Sequence, residues 1–125
     1  MSAESSNGAA PLRDRLRAAL PTAMKSRDKN ATAALRSALA AIDNAEAVDG
    51  SDMKAGAIEA SPVGLGTAER PRRDLTEADI EAIVRAEIAE RRTAAAEYAG
   101  RGSSADDRAA ALRAEAAALE AHVGG

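Results

Sequence analysis

An all-α fold follows from three features of this sequence. Alanine, the residue of highest helix propensity, fills 35 of the 125 positions. Leu, Ile, Val and Phe together supply only 18 residues. That is too thin a core for a sheet protein, but workable where small alanines let helices approach closely. Larger apolar residues also recur at three- and four-residue spacing in separate stretches of chain. So sparse an apolar set would suggest disorder if net charge were high, but net charge is only -3. The expected architecture is two antiparallel helical hairpins, about four helices, joined by a long, partly disordered linker.

Residues 1–10 are small and polar and read as a disordered tail. The first hairpin spans 11–47. Pro11 suits the first position of a helix, and Leu12, Leu16, Leu20 and Met24 follow at helical spacing. Pro21 lies inside that pattern and is expected to kink the helix or end it early, because an interior proline costs ~3 kcal/mol. Asp28 or Asn30 is placed to cap a second helix, with Ala31, Leu35, Leu39 and Ile42 as its buried stripe and an end near Ala47. Residues 48–74 contain Gly50, Gly56, Pro62, Gly64, Gly66 and Pro71 without a sustained period, and read as a flexible linker.

The second hairpin spans 75–123. Thr76 is a capping residue, and Glu77 and Asp79 favour the positive end of a helix dipole. Ile80, Val84, Ile88, Ala95 and Tyr98 form one stripe, with Tyr98 read as a ring capping the last core layer, until Gly100 closes the helix. Ser104 then caps a helix whose seam is Ala105, Ala109, Leu112, Ala116, Leu119 and Val123.

Several function classes fall away on composition. Without cysteine there is neither a disulfide nor a thiolate nucleophile, and a single histidine builds no imidazole metal cluster. The stretch "GLGTAE" lacks both the phosphate-loop lysine and dinucleotide-fold spacing. No Ser-His-Asp arrangement is credible with His122 nearly terminal, although its place at a helix C-terminus favours a cationic imidazole. No catalytic residue, metal or cofactor is therefore expected. Nowhere do 18 apolar residues run together and no secretory leader is evident, so the expectation is a cytoplasmic chain with no membrane partner.

Two groups of charged residues remain. Projected at 100° per residue, Arg91 falls on the apolar stripe of its helix with Glu87 one turn earlier, whereas Arg92 points aside; Glu87 and Arg91 read as a structural ion pair. Charge is also uneven along the chain: residues 1–36 hold seven basic and three acidic side chains, residues 37–69 one basic and six acidic. Arg13, Arg17, Lys25, Arg27, Lys29 and Arg36 are thus candidates to neutralise phosphates. The overall pI of about 5.2 weighs against a dedicated nucleic-acid binder.

The ordered segments "AMKSRDK" (23–29), "LRSALAAIDNAE" (35–46), "LTEADIEAIVRAEIAERR" (75–92) and "EYAGRG" (97–102), followed by an alanine-rich helix, resemble the GatB/YqeY domain family. The resemblance covers about residues 12–122. It implies a helical fold and an association with tRNA-dependent amidotransferases, whose family label is carbon-nitrogen ligase activity with glutamine as amido donor. Lys25, Arg27, Arg36, Glu87, Arg91 and Arg92 occupy positions that match the family pattern. The chain stops at "LEAHVGG", where longer members continue into a second domain, so the resemblance is to a short form. Two roles follow as expectations. One is a non-catalytic module contacting tRNA or a tRNA-amidating complex through Lys25, Arg27, Lys29, Arg36 and Arg92. The alternative is a protein-protein interaction module that pairs through its helical surface.

Overall fold

The computed structural model describes residues 10–60 and 74–123, without the side chains of 48–60. Residues 1–9 of the expected tail and 61–73 of the expected linker lie outside the described residues. Four helices follow in order: α1 (Leu12–Lys25), α2 (Lys29–Ala60), α3 (Glu77–Tyr98) and α4 (Ser103–Val123), with no strand among the described residues. Each hairpin packs its own two helices together, and every helix touches the other three.

Helix α1 starts without a capping side chain of its own. Its first free N–H, that of Leu12, donates to the Glu77 Oε2 of α3 at 2.7 Å, so a tertiary contact supplies the cap. The helix continues through Pro21 to Lys25 rather than ending early. Pro21 and Arg17 both face solvent, where water can reach the carbonyl that the proline leaves without a donor. Met24, read from spacing as buried, is 48% exposed, and Ala23 takes the inward position.

Asp28 caps α2, its Oδ1 accepting from the Ala31 N–H at 3.0 Å. The buried stripe is Ala34, Leu35, Ala38 and Ile42, with Ala31 and Leu39 half-buried beside it. The backbone stays helical to Ala60, well past Ala47. Met53, Lys54, Ala55, Ala57, Glu59 and Ala60 are good helix formers, which offset the ~1 kcal/mol cost of each glycine at 50 and 56.

The start of α3 is a reciprocal capping box. Thr76 Oγ1 accepts from the Asp79 N–H at 3.0 Å, and Asp79 Oδ2 accepts from the Thr76 N–H at 2.9 Å. Ile80, Val84, Ile88 and Ala95 are buried along one stripe, but Tyr98 is 42% exposed and caps no core layer. Between α3 and α4, Gly100 (φ 83°) and Gly102 (φ 115°) take the left-handed backbone that glycine adopts freely. α4 begins at Ser103, one residue before the expected cap at Ser104, with Ala109, Leu112, Ala116, Leu119 and Val123 buried and Ala105 half-buried.

Two apolar clusters result. The main one draws on all four helices, including Leu12, Leu16, Leu35, Ile42, Val84 and Leu119. The smaller one, Ala95, Ala109 and Leu112, belongs to α3 and α4 alone. The contacts of Leu12 with Glu77, of Arg15 with the His122 carbonyl and of Arg85 with the Val123 carbonyl gather the starts of α1 and α3 and the close of α4 at one end of the bundle. Both hairpin turns consequently lie at the opposite end.

Candidate functional site

Between the two apolar clusters lies a polar layer. Arg91 Nη1 donates to Glu87 Oε1 at 2.9 Å and to the Glu87 carbonyl at 3.1 Å, while Arg91 Nε donates to Glu115 Oε1 of α4 at 2.8 Å. Ser37 of α2 donates its hydroxyl to Glu87 Oε1 at 2.8 Å. The Arg91, Glu87 and Glu115 side chains are only 13%, 16% and 12% exposed. Three helices thus meet in one network, α3 and α4 on the Arg91 guanidinium and α2 on the Glu87 carboxylate, a geometry that fixes how the second hairpin docks on α2. Glu115 and Ser37 escape a reading made one helix at a time. A signal existed for the first: Glu115 follows Leu112 by three residues and precedes Leu119 by four, an acid set on the buried seam.

The basic candidates separate by their partners. Arg13 is engaged within the first hairpin, bonding Glu46 through Nη1 and Nη2 at 2.8 Å and Asp43 through Nη2 at 2.7 Å. The hydrogen bond to Glu46 raises its already high pKa, so it stays charged, and its buried Nε has no hydrogen-bond partner. Arg17 lies 4.0 Å from Asp14, an exposed and weak pair. Arg92 bonds Glu120 across the second hairpin and is half-exposed. Arg13 and Arg92 are committed within the fold.

Lys25, Arg27, Lys29 and Arg36 are different. Lys25 ends α1, Lys29 opens α2, and the turn between them is a Schellman closure. The Arg27 N–H donates to the Met24 carbonyl at 3.1 Å and the Asp28 N–H to the Ala23 carbonyl at 2.9 Å. This closure places Arg27 at φ 62°, the left-handed region where glycine is usual and an L side chain is strained by roughly 1–2 kcal/mol. Arg36 follows Lys29 by seven residues, nearly two turns, and so shares its helix face, with exposed Ala33 between them leaving both side chains unobstructed. Its Nη2 lies 3.7 Å from Met24 Sδ. All four cations are exposed, and among the described residues none has a carboxylate partner. The acid of the turn, Asp28, is turned to its own helix cap.

At the other end His122 is half-buried, and desolvation, followed by the nearby Arg15 charge, lowers its pKa below the ordinary 6.5. Both causes work against the cationic form favoured by its C-terminal position alone. Among the described residues no group of three or more His, Asp or Glu could hold a metal ion, and no helix is long and apolar enough to cross a membrane. Comparison of the chain with protein-family models, with curated proteins and with solved structures finds no match.

Proposed function

We propose that this chain is a non-catalytic helical module, acting in the cytoplasm, that contacts tRNA or a tRNA-amidating complex through the turn of its first hairpin. The observation that carries the reading is the set of four exposed cations, Lys25, Arg27, Lys29 and Arg36, without carboxylate partners among the described residues. Elsewhere Arg13, Arg85, Arg91 and Arg92 are each bound to one or more acids. The resemblance of the same segments to the GatB/YqeY family supplies tRNA as the anion. The one serine hydroxyl bonded to a carboxylate in the polar layer, Ser37 on Glu87, has that carboxylate already held by Arg91, and in this reading carbon-nitrogen ligase chemistry stays with the family association.

Fluorescence anisotropy of labelled tRNA tests the proposal. Binding at low salt should weaken with rising salt, with a log-log slope of about -3 for four phosphate contacts. The combined Lys25→Glu, Arg27→Glu and Lys29→Glu variant should bind at least tenfold more weakly. No binding by the native chain at low salt overturns the reading, and binding with little salt dependence favours a protein-interaction module instead.

A further inference from the structure

Among the described residues two large apolar side chains stand exposed, Met24 and Tyr98, and both lie at the turn end of the bundle. Their heights along the bundle can be compared from the Ser37–Glu87 hydrogen bond, which sets α2 and α3 at a common level. At 1.5 Å per residue, Lys29 lies about 12 Å from that level toward the turns, and Tyr98 about 16 Å in the same direction. The tyrosine therefore stands within roughly 5 Å, in height, of the start of the cationic turn. It is the sole aromatic residue of the chain.

The tip around Tyr98 is not itself basic: Arg101 and Arg108 are balanced by Glu97, Asp106 and Asp107, and Asp106 Oδ1 accepts from the Gly100 N–H at 2.7 Å. Of these two turns among the described residues, the first hairpin's is the cationic one, and the second hairpin's tip offers an aromatic face. A duplex presents phosphates but keeps its bases stacked inside. A single strand presents both, and a half-exposed tyrosine at the same end of the bundle as a cationic strip, and at nearly its height, matches that pair of groups. The aliphatic stems of the four cations and the thioether of Met24, 3.7 Å from Arg36, add adaptable surface at the turn.

We infer that the turn end of the bundle binds an unpaired segment of RNA, its phosphates on Lys25, Arg27, Lys29 and Arg36 and one base stacked on the Tyr98 ring. This inference rests on the tRNA-contact reading and narrows it, from a polyanion of any shape to a single-stranded one read by stacking.

Tyr98 fluorescence is a direct probe, because no other aromatic side chain emits. Low-salt titrations with single-stranded oligouridylate, with an RNA duplex and with inorganic polyphosphate should separate the contributions. Quenching is expected with the oligouridylate alone, while anisotropy competition shows that all three occupy the cationic turn. Tyr98→Leu should weaken oligouridylate binding about tenfold and leave polyphosphate binding unchanged, and Tyr98→Phe should restore most of the affinity. Circular dichroism of each variant should match the native helix signal, since the ring is exposed. If all three anions compete but none quenches Tyr98, or if Tyr98→Leu binds the oligouridylate normally, stacking is overturned and the polyanion reading survives. Failure of every anion to bind overturns both.

Discussion

The two ends of this bundle use charge in opposite ways. At the end where α1 and α3 begin, Glu77 caps α1, Arg13 bonds Glu46 and Asp43, Arg15 reaches the His122 carbonyl, and Arg85 is paired with Glu81 and reaches the Val123 carbonyl. At the turn end, Lys25, Arg27, Lys29 and Arg36 have no carboxylate partner among the described residues, and Met24 and Tyr98 are exposed. One end spends its polar groups on joining helices, while the other leaves them toward solvent. The same residue type, arginine, serves structure at 13 and 91 and is free for a partner at 27 and 36. The Arg91 layer marks the boundary, because beyond it α1 and α2 contribute nothing to the buried cluster of Ala95, Ala109 and Leu112.

The sharpest test of that boundary is removal of its central cation. Arg91→Ala leaves Glu87 and Glu115 largely buried with no guanidinium between them, and should cost ~3–5 kcal/mol. Arg92→Ala, at a half-exposed pair, should cost no more than about 1 kcal/mol. Urea unfolding of both variants checks this, and equal midpoints would erase the distinction. A second contrast lies in packing. Leu119→Ala opens the four-helix cluster and should cost roughly 3–5 kcal/mol. Leu112→Ala opens only a two-helix cluster that can close up, and should sit near the lower figure of ~2 kcal/mol. If the order is reversed in thermal or urea melts, the second hairpin is anchored at its tip rather than beside α2.

A smaller effect of opposite sign is expected at the turn. Arg27→Gly relieves the left-handed strain at φ 62° and should raise stability by about 0.5–1 kcal/mol, after the greater freedom of glycine in the unfolded chain is deducted. The same variant should bind polyanions more weakly, so a gain in melting temperature with a loss in affinity would identify Arg27 as a residue kept at a cost to stability.

The smallest effect belongs to His122. Its folded pKa is lowered, so the unfolded chain binds the proton more readily. The stabilising contribution is complete above the unfolded value of 6.5 and declines as pH falls through it toward the folded pKa. Melting temperatures on either side of that pH should fall more steeply with acidification for the native chain than for His122→Gln. Identical profiles would mean that the imidazole is free to charge where it sits.

Local chemistry made much of this legible beforehand. Thr76, Asp28 and Gly100 announce helix ends because their caps close within four residues of chain, and the stripe of α4, with that of α3 as far as Ala95, repeats faithfully where the helices pack. Arg91 on the stripe and Arg92 beside it follow from the same 100° step. Met24 and Tyr98 read as buried because periodicity continues past the point where there is anything left to pack against.

Sequence alone therefore determined the helical class, the caps at Asp28 and Thr76 and most of the inward face of each helix, since these arise from neighbours within a turn or two along one chain segment. Beyond the Glu87–Arg91 pair, tertiary structure decided which cations are neutralised: Asp43 and Glu46 claim Arg13 from 30 and 33 residues away, and Glu115 and Ser37 complete the Arg91 layer from separate helices. Coulomb attraction and hydrogen bonding act over a few ångströms in space, and no spacing read along a single helix reveals which distant side chain will come within that reach.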